Sequence, residues 1–296
     1  MGELAVAWAN GFQYGRFLQP NGSWVDPKYK FLQGVVTLKH QEANSLENSD
    51  GLTRHTIDVN VSKYLLADYY MVPFKRGIRD AGVRGIMCSY NAVNGQPTCL
   101  SPGIKRSREQ WGFQGYVTSD TDAVADAVSS HKYTDSYANA SCLAITQGGC
   151  DINSGNTYGA NLLNGTQQGL CTIDDVNTAL FNTLKQRFDL GLFDPIDSQP
   201  LWQLNASELG KPSSLALSLQ ASRESLGTVV DLEERRKTRR KKERKEGRKE
   251  EKRKKERKKE RNDDDDHNDN GNDTNSVCVC VCVCVCVCVS TKQCKL

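Results

Sequence analysis

Residues 83–99 read VRGIMCSYNAVNGQPTC, and residues 111–124 read WGFQGYVTSDTDAV. Two apolar runs, VRGIMCSY and GYVTS, each end in polar groups, and a helix-compatible segment from Ser101 to Trp111 joins them. Two strands separated by a helix are what a parallel pair requires, because a tight hairpin joins only antiparallel neighbours. Asp120 follows the second run directly. A carboxylate at the C-terminal end of a parallel strand stands where α/β barrels carry their chemistry.

The same alternation extends outward from this unit. Gln33–Lys39 (QGVVTLK) is a strand, with β-branched Val35, Val36 and Thr37. Ser62–Ala81 is a helix with Gly82 just past its end. Val83–Tyr90 and Tyr116–Ser119 are strands, and Cys150–Asn153 is a weaker fourth. Helices are expected over Thr121–Ser130, Tyr137–Gln147, Asn156–Gly169 and Ile173–Phe188. The last has Thr172 as its cap and Asp174 and Asp175 in its first turn. Leu4, Ala5, Trp8 and Phe12 recur at helical spacing near the start. Repeated βα units give an α/β fold with a parallel layer.

The motifs MCSYNAVNGQPTC and GYVTSDTDAV resemble glycoside hydrolase family 3, most of all its β-xylosidase and α-L-arabinofuranosidase branch. The likeness runs from about Glu3 to Gly227. It implies the later half of a (β/α)8 barrel, about four βα units, as residues 1–227, followed by a low-complexity tail, 228–296, expected to be disordered. A full barrel has eight strands over ~250 residues, so the likeness also implies truncation at both ends. The family's general acid/base glutamate lies in a second domain, which the likeness implies is missing after Leu226.

By that resemblance Asp120, in the SD motif, is the nucleophile of a retaining exo-glycosidase. Such an enzyme needs one carboxylate to attack the anomeric carbon and a second carboxyl about 5–5.5 Å away to protonate the leaving group. On sequence alone, an Asp after an apolar run is more often a helix N-cap. Thr121 stands where the branch usually has cysteine, and Asp122 is expected to be structural. Lys39 and His40, ending the first strand, are implied to bind sugar hydroxyls. Met87 lines the sugar pocket and Tyr90 lies beside the nucleophile, with ordinary packing as the alternative for Met87. Asn91 and Asn94 shape the loop before Gly95. Asp151, in GGCDINSG, and Arg54, in LTRHTIDVNV, match family positions, but Asn153 and Ser154 depart from the pattern at the first. The family branch has cysteines at Cys88 and Cys99, which in an oxidising compartment would close the NAVNGQP loop. Cys88 is equally readable as a buried thiol.

The tail differs in kind from what precedes it. It holds a Lys/Arg/Glu run over 237–261, an Asp/Asn run over 262–275 and alternating Val-Cys over 277–289. Each is what a simple nucleotide repeat encodes, so a retained intron or gene-model error after Leu226 is the reading of this junction. The chain has 39 Lys and Arg against 36 Asp and Glu; 18 and 21 of these fall at or before Val230, a net of −3. The basic excess therefore belongs to the tail, as do seven of the twelve cysteines.

No Cys/His metal spacing and no phosphate loop appears, so no cofactor is implied. No apolar run reaches the ~18–20 residues of a membrane span. No signal peptide is visible, although the family is secreted or vacuolar. Sequons at Asn21, Asn60, Asn139, Asn164, Asn205 and Asn272 suit that route. The expected partner is a xylo- or arabino-oligosaccharide, with no nucleic acid and no membrane. The alternatives are a catalytically inactive fragment and, less favoured, nucleic-acid binding through the basic run, where interspersed glutamates offset the charge.

Overall fold

The computed structural model describes residues 2–19, 21–25, 30–225 and 284–288. Its main elements are α1 (Gly2–Tyr14), β1 (Val35–Gln41), α2 (Val72–Ala81), β2 (Gly85–Cys88), α3 (Pro102–Trp111), β3 (Tyr116–Ser119), α4 (Ala123–Ser129), α5 (Tyr137–Leu143), α6 (Thr157–Gln167), α7 (Ile173–Asp189) and β4 (Cys284–Cys288), with further short strands and turns between them. Residues 202–225 belong to a second unit, with a helix over 212–225.

The four-stranded sheet has the order β3-β2-β1-β4, and the first three strands are parallel. In β3 and β2, Val117 pairs with Ile86 and Ser119 with Cys88. Side chains alternate across a strand. One face therefore carries Val36, Leu38, Ile86, Cys88 and Val117, all buried in one core with Phe74, Ile78, Ile104 and Val124 from the helices. The other face carries Thr37, Gly85, Met87, Tyr116 and Thr118. There the Thr37 hydroxyl meets the Tyr116 hydroxyl at 2.9 Å, across Gly85. A Cβ on Gly85 would lie 2.3 Å from Thr37 Oγ1, so only glycine lets these two hydroxyls meet over the central strand.

Gln13 fastens α1 to this layer. Its side chain is fully buried, its Nε2 donates to the Gly82 carbonyl at 2.9 Å, and its Oε1 accepts from the amides of Val36 and Arg84. Local chemistry ends the helices as expected. Gly82 and Gly112 take left-handed conformations after α2 and α3, Ser101 caps α3, and Thr172 with Asp175 forms a capping box on α7.

Several expectations need correction. The helix over Ser62–Ala81 is broken into a turn at Lys63–Leu65, a π-turn at Leu66–Tyr70, and α2. Pro73 in the first turn of α2 has no N–H to continue a helix through Met71. The helix over Tyr137–Gln147 likewise changes to a π-turn at Ala144–Gly148. Cys150–Asn153 is no strand but a single parallel bridge, Thr118 to Ile152, bounded by left-handed Gly149 and Gly155. The tail is not without structure: Cys284–Cys288 pairs antiparallel with β1, from Cys284 opposite Lys39 to Cys288 opposite Val35. An alternating β-branched run matches an open strand edge. The basic and Asp/Asn runs lie outside the described residues.

Among the described residues two disulfides are present. Cys88–Cys99 agrees with the resemblance, and Cys142–Cys171 ties α5 to the start of α7. Cys150 is a buried free thiol.

Gly85→Ala is expected to cost about 1–3 kcal/mol, the usual range for overpacking. Urea unfolding checks this: the midpoint should fall with the slope unchanged, whereas an unmoved midpoint would contradict the close approach at Gly85.

Candidate active site

Parity carries Asp120 to the same face as Tyr116 and Thr118, one step beyond the end of β3. Its amide donates to the Cys88 carbonyl at 3.1 Å, extending the ladder to β2. Three chain segments then converge on its carboxylate. Oδ1 accepts from the Thr121 amide at 2.8 Å and from the Tyr90 hydroxyl at 3.1 Å. Oδ2 lies 3.0 Å from Nε2 of His40. The helix-cap reading of Asp120 fails, because Asp122 holds the cap position of α4 without a side-chain cap bond.

Burial pushes the Asp120 carboxyl up, but the His40 contact, the Thr121 amide and the Tyr90 hydroxyl outweigh it and hold it below the ordinary value of 3.8. Tyr90 moves the opposite way, to about 12, through burial and then the charge and hydrogen bond of Asp120. Near neutrality the site therefore holds an ionised carboxylate facing a protonated phenol. The arrangement suits nucleophilic attack, since the carboxylate is charged, oriented and only half-buried.

The remaining residues divide. Lys39 lies half-buried at the same strand end, but it makes no ion pair among the described residues. The β1–β2 register shifts between Leu38 and Gln41, which turns this strand end. Met87 is half-buried opposite Thr118, on the face of Asp120. Asn91 and Asn94 act in the loop: Asn94 brackets the backbone of Val61 at 2.9 Å on both sides. Asp151 belongs to the framework. It is ion-paired with Arg108 and accepts from the Val117 amide at 2.7 Å and from Asn182 at 2.9 Å. Burial nevertheless leaves its carboxyl above the ordinary range.

Sequence reasoning missed the packing around Tyr90. The Arg54 guanidinium lies 4.7 Å from the Tyr90 ring centroid, and the His55 ring 4.2 Å from it. Nδ1 of His55 is 2.6 Å from Oδ2 of Asp126 on α4, and Nε2 of His131 is 2.8 Å from the Tyr90 carbonyl. Nothing in the spacing of LTRHT announces this. Among the described residues no cluster of three or more metal-ligating side chains occurs.

Residues 4–181 match the family model described as the glycosyl hydrolase family 3 N terminal domain. The chain belongs to glycosyl hydrolase family 3. Over 199 residues this family 3 chain is 34% identical to a probable exo-1,4-beta-xylosidase of Aspergillus clavatus, covering 66% of the chain and 26% of that protein. Over 228 residues it is 33% identical to probable beta-D-xylosidase 7 of Arabidopsis thaliana, covering 76% and 29%. It thus spans about a quarter of the length of these relatives. Among solved structures, a GH3 exo-beta-xylosidase bound to a xylobiose aziridine activity-based probe matches with TM-score 0.62 at 28% identity, over 66% of this chain and 26% of that one. A β-glucosidase from Erythrobacter marinus matches with TM-score 0.54 at 26% identity, over 64% and 24%.

A carboxyl depressed by folding stabilises the native state above its unfolded pKa, and that contribution is lost as pH falls through the folded value. His40→Ala should therefore raise the Asp120 midpoint and remove part of this acid-labile stability. Carboxyl-carbon NMR titration checks it, and a midpoint equal to wild type would contradict the His40 contact.

Proposed function

We propose that this family 3 chain carries the nucleophilic half of a retaining β-xylosidase-type glycosidase, acting on xylo- or arabino-oligosaccharides. The observation that carries the reading is the ionised Asp120 carboxylate, held by His40, the Thr121 amide and Tyr90 at the ends of three parallel strands. Oδ1 already accepts two donors, whereas Oδ2 has one, so Oδ2 keeps a lone pair for attack. It forms a bond to the anomeric carbon as the bond to the leaving oxygen breaks, giving a glycosyl-enzyme that water later hydrolyses. Lys39 and His40 bind sugar hydroxyls, and Met87 lines the pocket. The proton for the leaving group comes from a carboxyl outside the matched region. In this reading the three parallel strands and their helices are the later half of a (β/α)8 barrel. The two disulfides support an oxidising compartment, extracellular or vacuolar.

An activated leaving group tests the attack alone, because dinitrophenolate departs without protonation. Treated with 2,4-dinitrophenyl 2-deoxy-2-fluoro-β-xyloside, the chain should gain one fluoroxylosyl group, mapped by peptide mass spectrometry to Asp120. Asp120→Asn should gain none. Labelling elsewhere, or none in the wild type, would overturn the assignment.

A further inference from the structure

Tyr90 donates to the nucleophilic carboxylate, so the position of its ring fixes half of the hydrogen bonding on Oδ1. That ring is held from outside the strand that carries it. The hairpin of Asn48–Ser49 with Leu52–Thr53 delivers Arg54 and His55 to it. The guanidinium stands 4.7 Å from the ring centroid, and the imidazole stands 4.2 Å from it, tilted by 50°. Glu47 pairs with Arg54 at 3.1 Å and closes the base of the hairpin.

His55 is in turn fixed by Asp126, whose carboxylate also accepts from Ser130 at 2.8 Å. Asp126 lies on α4, the helix that starts just after the nucleophile, and the first amide of that helix, of Ala123, donates to the Asp120 carbonyl at 3.1 Å. One helix therefore sets the place of both Asp120 and the group that presses on Tyr90. His131, just after α4, holds the Tyr90 carbonyl.

From this geometry we infer that Arg54 and His55, anchored by Asp126, clamp the Tyr90 ring so that its hydroxyl stays on the carboxylate of Asp120. They are proposed as positioning residues, acting through Tyr90. The inference rests on the glycosidase reading for its purpose but not for its geometry. The His55 side chain is 40% exposed, so its loss should barely change stability. A purely structural role would show only as unfolding.

The test uses the whole chain and three variants, His55→Asn, His55→Phe and Asp126→Asn. Asparagine keeps a donor toward Asp126 but removes the ring face, whereas phenylalanine keeps the face. With the fluoroxyloside above, His55→Asn and Asp126→Asn should lower the maximal labelling rate by about 10- to 100-fold, the scale of a small misplacement of reacting groups. The half-saturating concentration and the thermal midpoint should stay near wild type, and His55→Phe, which keeps the ring face but loses the Asp126 anchor, should fall between His55→Asn and wild type. In chains with ¹³C-labelled tyrosine, the Tyr90 signals are assigned by their loss in Tyr90→Phe. The two edges of the ring should give separate signals in the wild type and averaged ones in His55→Asn and Asp126→Asn. Wild-type labelling rates in both variants would overturn the clamp, and so would unchanged Tyr90 signals. A wild-type chain that does not label overturns the glycosidase reading instead, and the ring signals alone then decide the clamp.

Discussion

Everything at the site depends on the register of three parallel strands. Val117 opposite Ile86 and Leu38 opposite Ile86 bring the strand ends to one level. Only then do His40, Tyr90 and Asp120, from three separate segments, meet around one carboxylate. The register is set by packing on the other face, where Leu38, Ile86 and Val117 are almost wholly buried. A slip of one residue would exchange the two faces. The polar cluster is thus a consequence of the apolar one.

The electrostatics follow the same division. Asp120 and Asp151 bracket β3, and both are held by several donors, yet their carboxyls move in opposite directions. Burial wins at Asp151, which sits under α3 and α7 with its oxygens committed to Arg108, Val117 and Asn182. Donors win at Asp120, which is less buried. One acid holds helices to the sheet, while the other stays charged and open on one side.

The strands around Asp120 were legible because β-branched runs and a strand–helix–strand spacing leave few alternatives, and the resemblance brought Asp120, His40 and Tyr90 together in advance. What was not legible came mostly from tertiary contacts. One miss was local: Pro73 is itself a signal that splits the helix over Ser62–Ala81, although the flanking residues read as continuous. GGCDINSG looks like a strand end, yet only Ile152 joins the sheet, since flanking glycines turn the chain away. Arg54 drew notice only by resemblance and His55 by nothing, because a cation or imidazole stacked on a tyrosine 36 or 35 residues later leaves no periodicity. The Val-Cys run read as a repeat, and its pairing to β1 follows from strand chemistry meeting an open edge.

The most direct measurement is a crystal structure of the chain after reaction with the fluoroxyloside. Continuous density from Oδ2 of Asp120 to the anomeric carbon, with Tyr90 and the Thr121 amide still on Oδ1, is the expected result. A sugar bonded to another residue, or an Asp120 carboxylate turned away from His40 and Tyr90, would contradict the account.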